Sequence, residues 1–124
     1  MKHLTRWLGF CLMALAVYGC GNERVVVECR LGDTCQAGDQ TFVVTYKAGT
    51  QHDFTLQVEG DGVRLEKADI VGVNMEMGVF PLFVEHKGAR VHVKGITPVC
   101  TLGDAMRWKV RLYTPSHRIE VSLP

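Results

Sequence analysis

Apolar and polar residues alternate with a period of two along most of this chain, and that pattern confines it to β structure. Phe54, Leu56 and Val58 alternate with Thr55 and Gln57, and Val63 and Leu65 with Arg64 and Glu66. Further on, Met106, Trp108, Val110 and Leu112 alternate with Arg107, Lys109 and Arg111. Ile119, Val121 and Leu123 do the same with Arg118, Glu120 and Ser122. Successive side chains of a strand point to opposite faces, so each stretch reads as a half-buried strand. Strands are also expected over 24–29, 40–47, 69–77, 79–86 and 89–95. Turn formers stand between them: Ala48-Gly49, Gly60-Asp61-Gly62, Lys87-Gly88 and Thr114-Pro115-Ser116. Seven or eight short strands in about 100 residues predict an all-β, immunoglobulin-like or cupredoxin-like sandwich. The chain has 124 residues, room for a single domain.

The first twenty residues carry a different pattern. Lys2, His3 and Arg6 precede the apolar run Trp7 to Val17, which is too short to span a bilayer as a helix. A basic start and a short apolar run read as a secretory signal, residues 1–19. The run closes on Val17-Tyr18-Gly19-Cys20, which resembles a bacterial lipobox. That resemblance implies acylation of Cys20 as the mature N-terminus, with residues 20–124 forming the domain. Gly21 follows in place of Asp, which under the sorting rule of such lipoproteins favours the outer membrane over the inner. The expected location is the cell envelope, lipid-anchored and facing the periplasm. The competing reading is ordinary cleavage after Ala14-Leu15-Ala16, with Cys20 left as a thiol.

Removal of residues 1–19 takes Lys2 and Arg6 away and leaves 12 basic against 13 acidic residues, a formal charge of −1. A nucleic-acid partner usually meets a basic stripe, and this balance speaks against one. Secretion also places the remaining cysteines where disulfides persist. Besides Cys20 these are Cys29, Cys35 and Cys100, an odd number. Cys29 and Cys35 flank the short polar turn Arg30-Leu31-Gly32-Asp33-Thr34, which favours that disulfide over Cys29–Cys100 or Cys35–Cys100. Cys100 is then a free thiol in a secreted protein.

The mature chain has three methionines, Met75, Met77 and Met106, and all fall in two short segments. One segment is Gly72-Val73-Asn74-Met75-Glu76-Met77-Gly78. The other runs from Pro98-Val99-Cys100 to Met106-Arg107-Trp108. In a strand, Met75 and Met77 share one face. Were the two segments neighbours, three thioethers and the Cys100 thiol would converge at one rim, with Trp108 packed over them. Thioether and thiolate are soft ligands suited to Cu(I). Against this stands a simple core role. Val71, Val73, Met75, Met77 and Val79 form one apolar face, and methionine fills irregular gaps beside aromatics.

The pattern M-x-M-G, then Cys100, then Met106-Arg107-Trp108 resembles one seen in small secreted proteobacterial proteins similar in character to the FixH and YtkA-like group. The resemblance covers residues 54–112. It implies an immunoglobulin-like sandwich and a part in copper handling or oxidase assembly, and the Cys29…Cys35 pair fits it. The chain departs from better-known copper carriers in lacking their His- and Met-rich tracts.

The remaining polar residues suggest no catalyst. There is no G-x-S-x-G, H-E-x-x-H, C-x-x-C or phosphate-binding glycine loop. A two-residue turn at Lys87-Gly88 would put His86 on the face of Val84 and Val91, and His92 on the opposite face, too far apart for one metal. Asp61, Asp69 and Asp104 are expected in or near turns. The chain is therefore read as a non-enzyme. The alternative to copper binding is a non-catalytic interaction module docking a partner in an envelope complex.

Overall fold

The computed structural model describes residues 23–98 and 106–124. Cys20 and Cys100 lie outside the described residues. Among the described residues nine strands follow one another: β1 (Val25–Cys29), β2 (Thr34–Ala37), β3 (Gln40–Ala48), β4 (Asp53–Gly60), β5 (Lys67–Gly72), β6 (Val79–Lys87), β7 (Arg90–Ile96), β8 (Trp108–Tyr113) and β9 (His117–Ser122). They join in the order β1-β9-β8-β5-β6-β7-β4-β3-β2, with β1 parallel to β9 and the other pairs antiparallel. The all-β sandwich expected from the sequence is what forms, with nine strands in place of seven or eight.

Strand β6 makes two layers out of one sheet. Its first half, Val79–Leu82, pairs with β5, and its second half, Phe83–Lys87, pairs with β7. The sheet bends over at that switch and curls until its two edge strands, β1 and β2, meet in a nearly closed, barrel-like sandwich. Cys29 and Cys35 are joined across this seam, with Cα atoms 5.7 Å apart, within the range a disulfide needs. The bond ties the two edges of the whole sheet although it closes only a short loop. By chain entropy a loop this short gives about 2 kcal/mol. The Cys29→Ser, Cys35→Ser domain is expected to unfold in urea with that much less stability and an unchanged fold.

The alternation reports the core faithfully. Phe54, Leu56 and Val58 on β4, Val91 and Val93 on β7, Val110 and Leu112 on β8, and Ile119 and Val121 on β9 are all buried. On the outer face of the other layer, Asp69 and Arg111 stand opposite each other in the β5–β8 ladder. Arg111 donates from Nε at 2.6 Å and from a terminal nitrogen at 3.0 Å to the two Asp69 oxygens. That two-pronged bond holds the guanidinium still more firmly protonated than usual. Asp69 was expected in or near a turn and instead sits buried in mid-strand. Nearby, burial first and the Asp69 carboxylate second push the Tyr113 phenol above its ordinary range.

Several expected boundaries move. Residues 63–66 form a loop, with Leu65 buried but unpaired, whereas Thr34–Ala37 is an added strand. The β6–β7 turn is Gly88-Ala89, flanked by the pair Lys87 and Arg90, and not Lys87-Gly88. Gly88 has φ +61, the conformation a two-residue hairpin requires at its first position, and lysine would be strained there. The shift of register is two residues, so the facing of each side chain is kept. His86 pairs with Val91 on the inward side but is exposed at the strand end; His92 pairs with Glu85 on the outward side.

Candidate functional site: a methionine rim at one end of the sandwich

The topology sorts the loops between two ends. At one end β1 begins, with the turns at 38–39, 61–66, 88–89 and 114–116 beside it. At the other end lie the loops at 30–33, 49–52 and 73–78, and there β7 ends and β8 begins. Met75, Met77 and Met106 all belong to this second end.

Strand β5 stops at Gly72, earlier than the expected strand 69–77, so Met75 and Met77 ride on a loop and not on one strand face. The reason is a side chain. The β5–β8 ladder runs to the pair Gly72 and Trp108, and Val73 N–H still donates to the Arg107 carbonyl at 2.8 Å. Beyond that, the Asn74 side-chain oxygen accepts the Arg107 N–H at 3.0 Å, where a further backbone carbonyl would stand in a strand. Asn side chains commonly replace backbone partners in turns. The loop leaves the sheet here, while remaining fastened to the residue that follows Met106.

Gly72 is the floor of the resulting rim. A Cβ placed there would lie 3.0 Å from the Met106 terminal methyl and would collide with the Met75 carbonyl. The Met106 side chain and the Met75 backbone thus close on the same glycine from two segments over thirty residues apart in the sequence. All three methionines are half-buried, with Met77 and Met106 packed against the core. Trp108, expected to cover the rim, is instead buried within the core, edge-on to Phe80 with ring centroids 6.4 Å apart. Among the described residues no three His, Cys, Asp or Glu side chains come together. Met75, Met77 and Met106 place thioethers at this end of the fold, donors that suit a soft monovalent ion better than Mg²⁺ or Ca²⁺.

Neither Gly72 nor Asn74 stands out in the sequence, because neither carries the soft sulfur that marks the motif. The signal was present in the motif itself: a glycine and an asparagine immediately ahead of Met75. Gly72→Ala is expected to displace the loop, costing about 1–3 kcal/mol as overpacking does, and to weaken Cu(I) binding. Val73→Ser, at an exposed neighbouring position, is expected to change neither. Thermal denaturation and chelator competition on both variants check this.

No protein-family profile, curated protein or solved structure matches the chain.

Proposed function

We propose that this chain is a lipid-anchored periplasmic protein that holds Cu(I) on Met75, Met77 and Met106, with Cys100 as a thiolate ligand, in copper handling or oxidase assembly. One observation carries the reading: loop 73–78 and the segment at Met106 are hydrogen-bonded to each other at one end of the sandwich, with their thioethers half-buried. Half-burial suits a carrier. Met77 and Met106 are held by packing against the core, and an ion on the sulfurs remains open to a partner. The chain enters the domain at Arg24, at the opposite end, so an acylated Cys20 would leave the methionines directed away from the bilayer. Gly21 favours the outer membrane over the inner as the place of that anchor. The test is titration of the domain with Cu(I), kept reduced by ascorbate, against a chromophoric chelator. Tight binding of one ion per chain is expected; failure to compete removes the reading.

A second reading, a non-catalytic interaction module in an envelope complex, is favoured by a separate observation. Val79, Phe83 and Ile96 are 59%, 67% and 66% exposed. A shallow cleft of about 470 Å³ lies among Phe80, Pro81, Phe83, Ile96 and Pro98, with Lys94 and Gly95 completing its lining. Contiguous exposed apolar surface of this kind commonly marks a docking site. A photo-crosslinker at position 83 that yields one discrete protein adduct in cells, from a domain with no Cu(I) affinity, would favour this reading.

A further inference from the structure

The chain enters the fold at an unusual surface. Val25 and Val26 are 60% and 46% exposed on β1, an edge strand of the sheet. Exposed apolar edge strands invite aggregation and are normally covered or charged. The residues around this edge are charged and aromatic, with Arg24, Lys67 and Arg118 standing among Glu23, Glu28, Glu66 and Glu120. Val26 is paired with Arg118 in the β1–β9 ladder. The Tyr113 ring carries Lys67 Nζ at 4.8 Å from its centroid and the Arg24 guanidinium at 5.3 Å. Arg24 is fixed in place, donating to the Thr114 carbonyl and to Glu66, both at 2.8 Å. Lys67 has no carboxylate at ion-pair distance among the described residues. Arg118 shares Glu120 with Lys109, and its buried Nε finds no partner. Glu23 lines the cleft formed by Arg24, Tyr113 and Arg118, so the surface is mixed in charge and not uniformly basic.

We propose that β1 and its cationic flank form a membrane-contact face that lies against the phosphate headgroups of the bilayer holding the anchor. The proposal rests on the lipoprotein reading, and its reach follows from chain length. Cys20 is four residues from Arg24, at most about 14 Å of extended chain. Because Arg24 is hydrogen-bonded to the domain, this short tether leaves β1 beside the bilayer. Valines at the headgroup boundary and lysine or arginine on phosphate are the two contributions by which surface-bound segments hold to membranes. A tether also raises the local concentration of lipid, so contacts too weak to recruit a free domain can orient an anchored one. Since the mature chain carries a net charge of −1, attraction to anionic lipid must come from this local arrangement and not from overall charge. The contact would hold the sandwich in a single orientation, with the methionine rim away from the lipid.

The experiment supplies the anchor chemically. A Cys100→Ser form of residues 20–124, which contain every paired strand, the core and the Cys29–Cys35 bond, is coupled through Cys20 to a maleimide lipid. The lipid sits in nanodiscs of phosphatidylcholine and phosphatidylglycerol that carry a headgroup spin label. Amide signals of Val25–Glu28 and Arg118 are expected to lose intensity while those of Val79–Phe83 are retained. In a Val25→Ser, Val26→Ser, Lys67→Glu variant, substituted only at exposed positions, Arg118 is expected to regain intensity while Val25 stays attenuated because the tether alone holds it near the lipid; an Arg118 loss unchanged in the variant would overturn the proposal. Equal loss in the unsubstituted domain, or greater loss at Val79–Phe83, would overturn the proposal. So would shifts at Lys67 and Arg118 on adding inorganic phosphate with no loss along β1, which would make a soluble anion the ligand. Failure of Cys20 acylation in cells would leave the nanodisc result standing, so the two readings fail separately.

Discussion

A domain carrying Met75→Leu, Met77→Leu and Met106→Leu is expected to remain folded and to lose Cu(I) binding. Leucine and methionine have similar volumes, and such exchanges usually cost under about 1.5 kcal/mol each. The three sites are only half-buried, which lowers the cost further. Thioether sulfur, by contrast, has no substitute in leucine. Loss of even an outer partner of a metal ligand lowers affinity about 10–100-fold. Loss of three ligands is therefore expected to lower it by at least about 1,000-fold, equivalent to about 4 kcal/mol. Chelator competition measures the affinity, and circular dichroism with urea unfolding confirms the fold. Undiminished binding by a folded triple variant would assign the ion to other residues.

The largest effect on stability is expected at Leu112. Its side chain is fully buried on β8, which is hydrogen-bonded on one side to β9 and on the other to β5. Leu112→Ala removes three carbon atoms and leaves a cavity where neither neighbouring strand can close in without breaking its ladder. Such substitutions cost about 2–5 kcal/mol, and a central strand belongs in the upper half of that span. Domains of this size are stable by roughly 5–15 kcal/mol, so the variant keeps little reserve. A lower urea midpoint with an unchanged slope is expected, and a loss under about 1 kcal/mol would show that the layers repack around the gap. Val79→Ala, exposed on β6, is expected to change stability by no more than about 0.5 kcal/mol.

Much of this fold was legible because alternation reports burial directly, as at Phe54, Leu56 and Val58. The same property explains where the reading went astray. Val63 and Leu65 alternate and turn inward, Leu65 fully, yet residues 63–66 are loop, tied to β8 through the Glu66 N–H and the Tyr113 carbonyl; alternation records which side chains enter the core, not which backbones form ladders. The ladder's end at Gly72 was hidden for a similar cause, since Val73, Met75 and Met77 continue the apolar pattern. What stops the strand is the Asn74 side chain taking the Arg107 N–H, a contact with a residue 33 positions away that no local pattern reveals. Thr34–Ala37 was passed over because four residues beside a turn carry little periodic signal. Strand β6 appeared in the sequence as one strand, whereas its division between two layers depends on partners distant in the chain.

The candidate site was legible in composition more than in geometry. That the methionines beyond residue 20 occupy two segments could be seen at once; the two segments meet at Gly72 through the Met106 methyl and the Met75 backbone carbonyl. The assumed strand face was not the means. A side-chain hydrogen bond and a glycine floor bring the loop to Met106, and Trp108 serves the core beneath.

The central claim is that sulfur alone holds the ion at this rim, and X-ray absorption at the copper edge of the Cu(I)-loaded domain tests it most directly. The account predicts a first coordination shell of sulfur only in the unsubstituted domain, and loss of the thioether sulfurs from whatever copper the methionine-to-leucine variant still takes up, leaving no more than the single Cys100 sulfur. A shell containing nitrogen or oxygen ligands, or one unchanged in that variant, would contradict it.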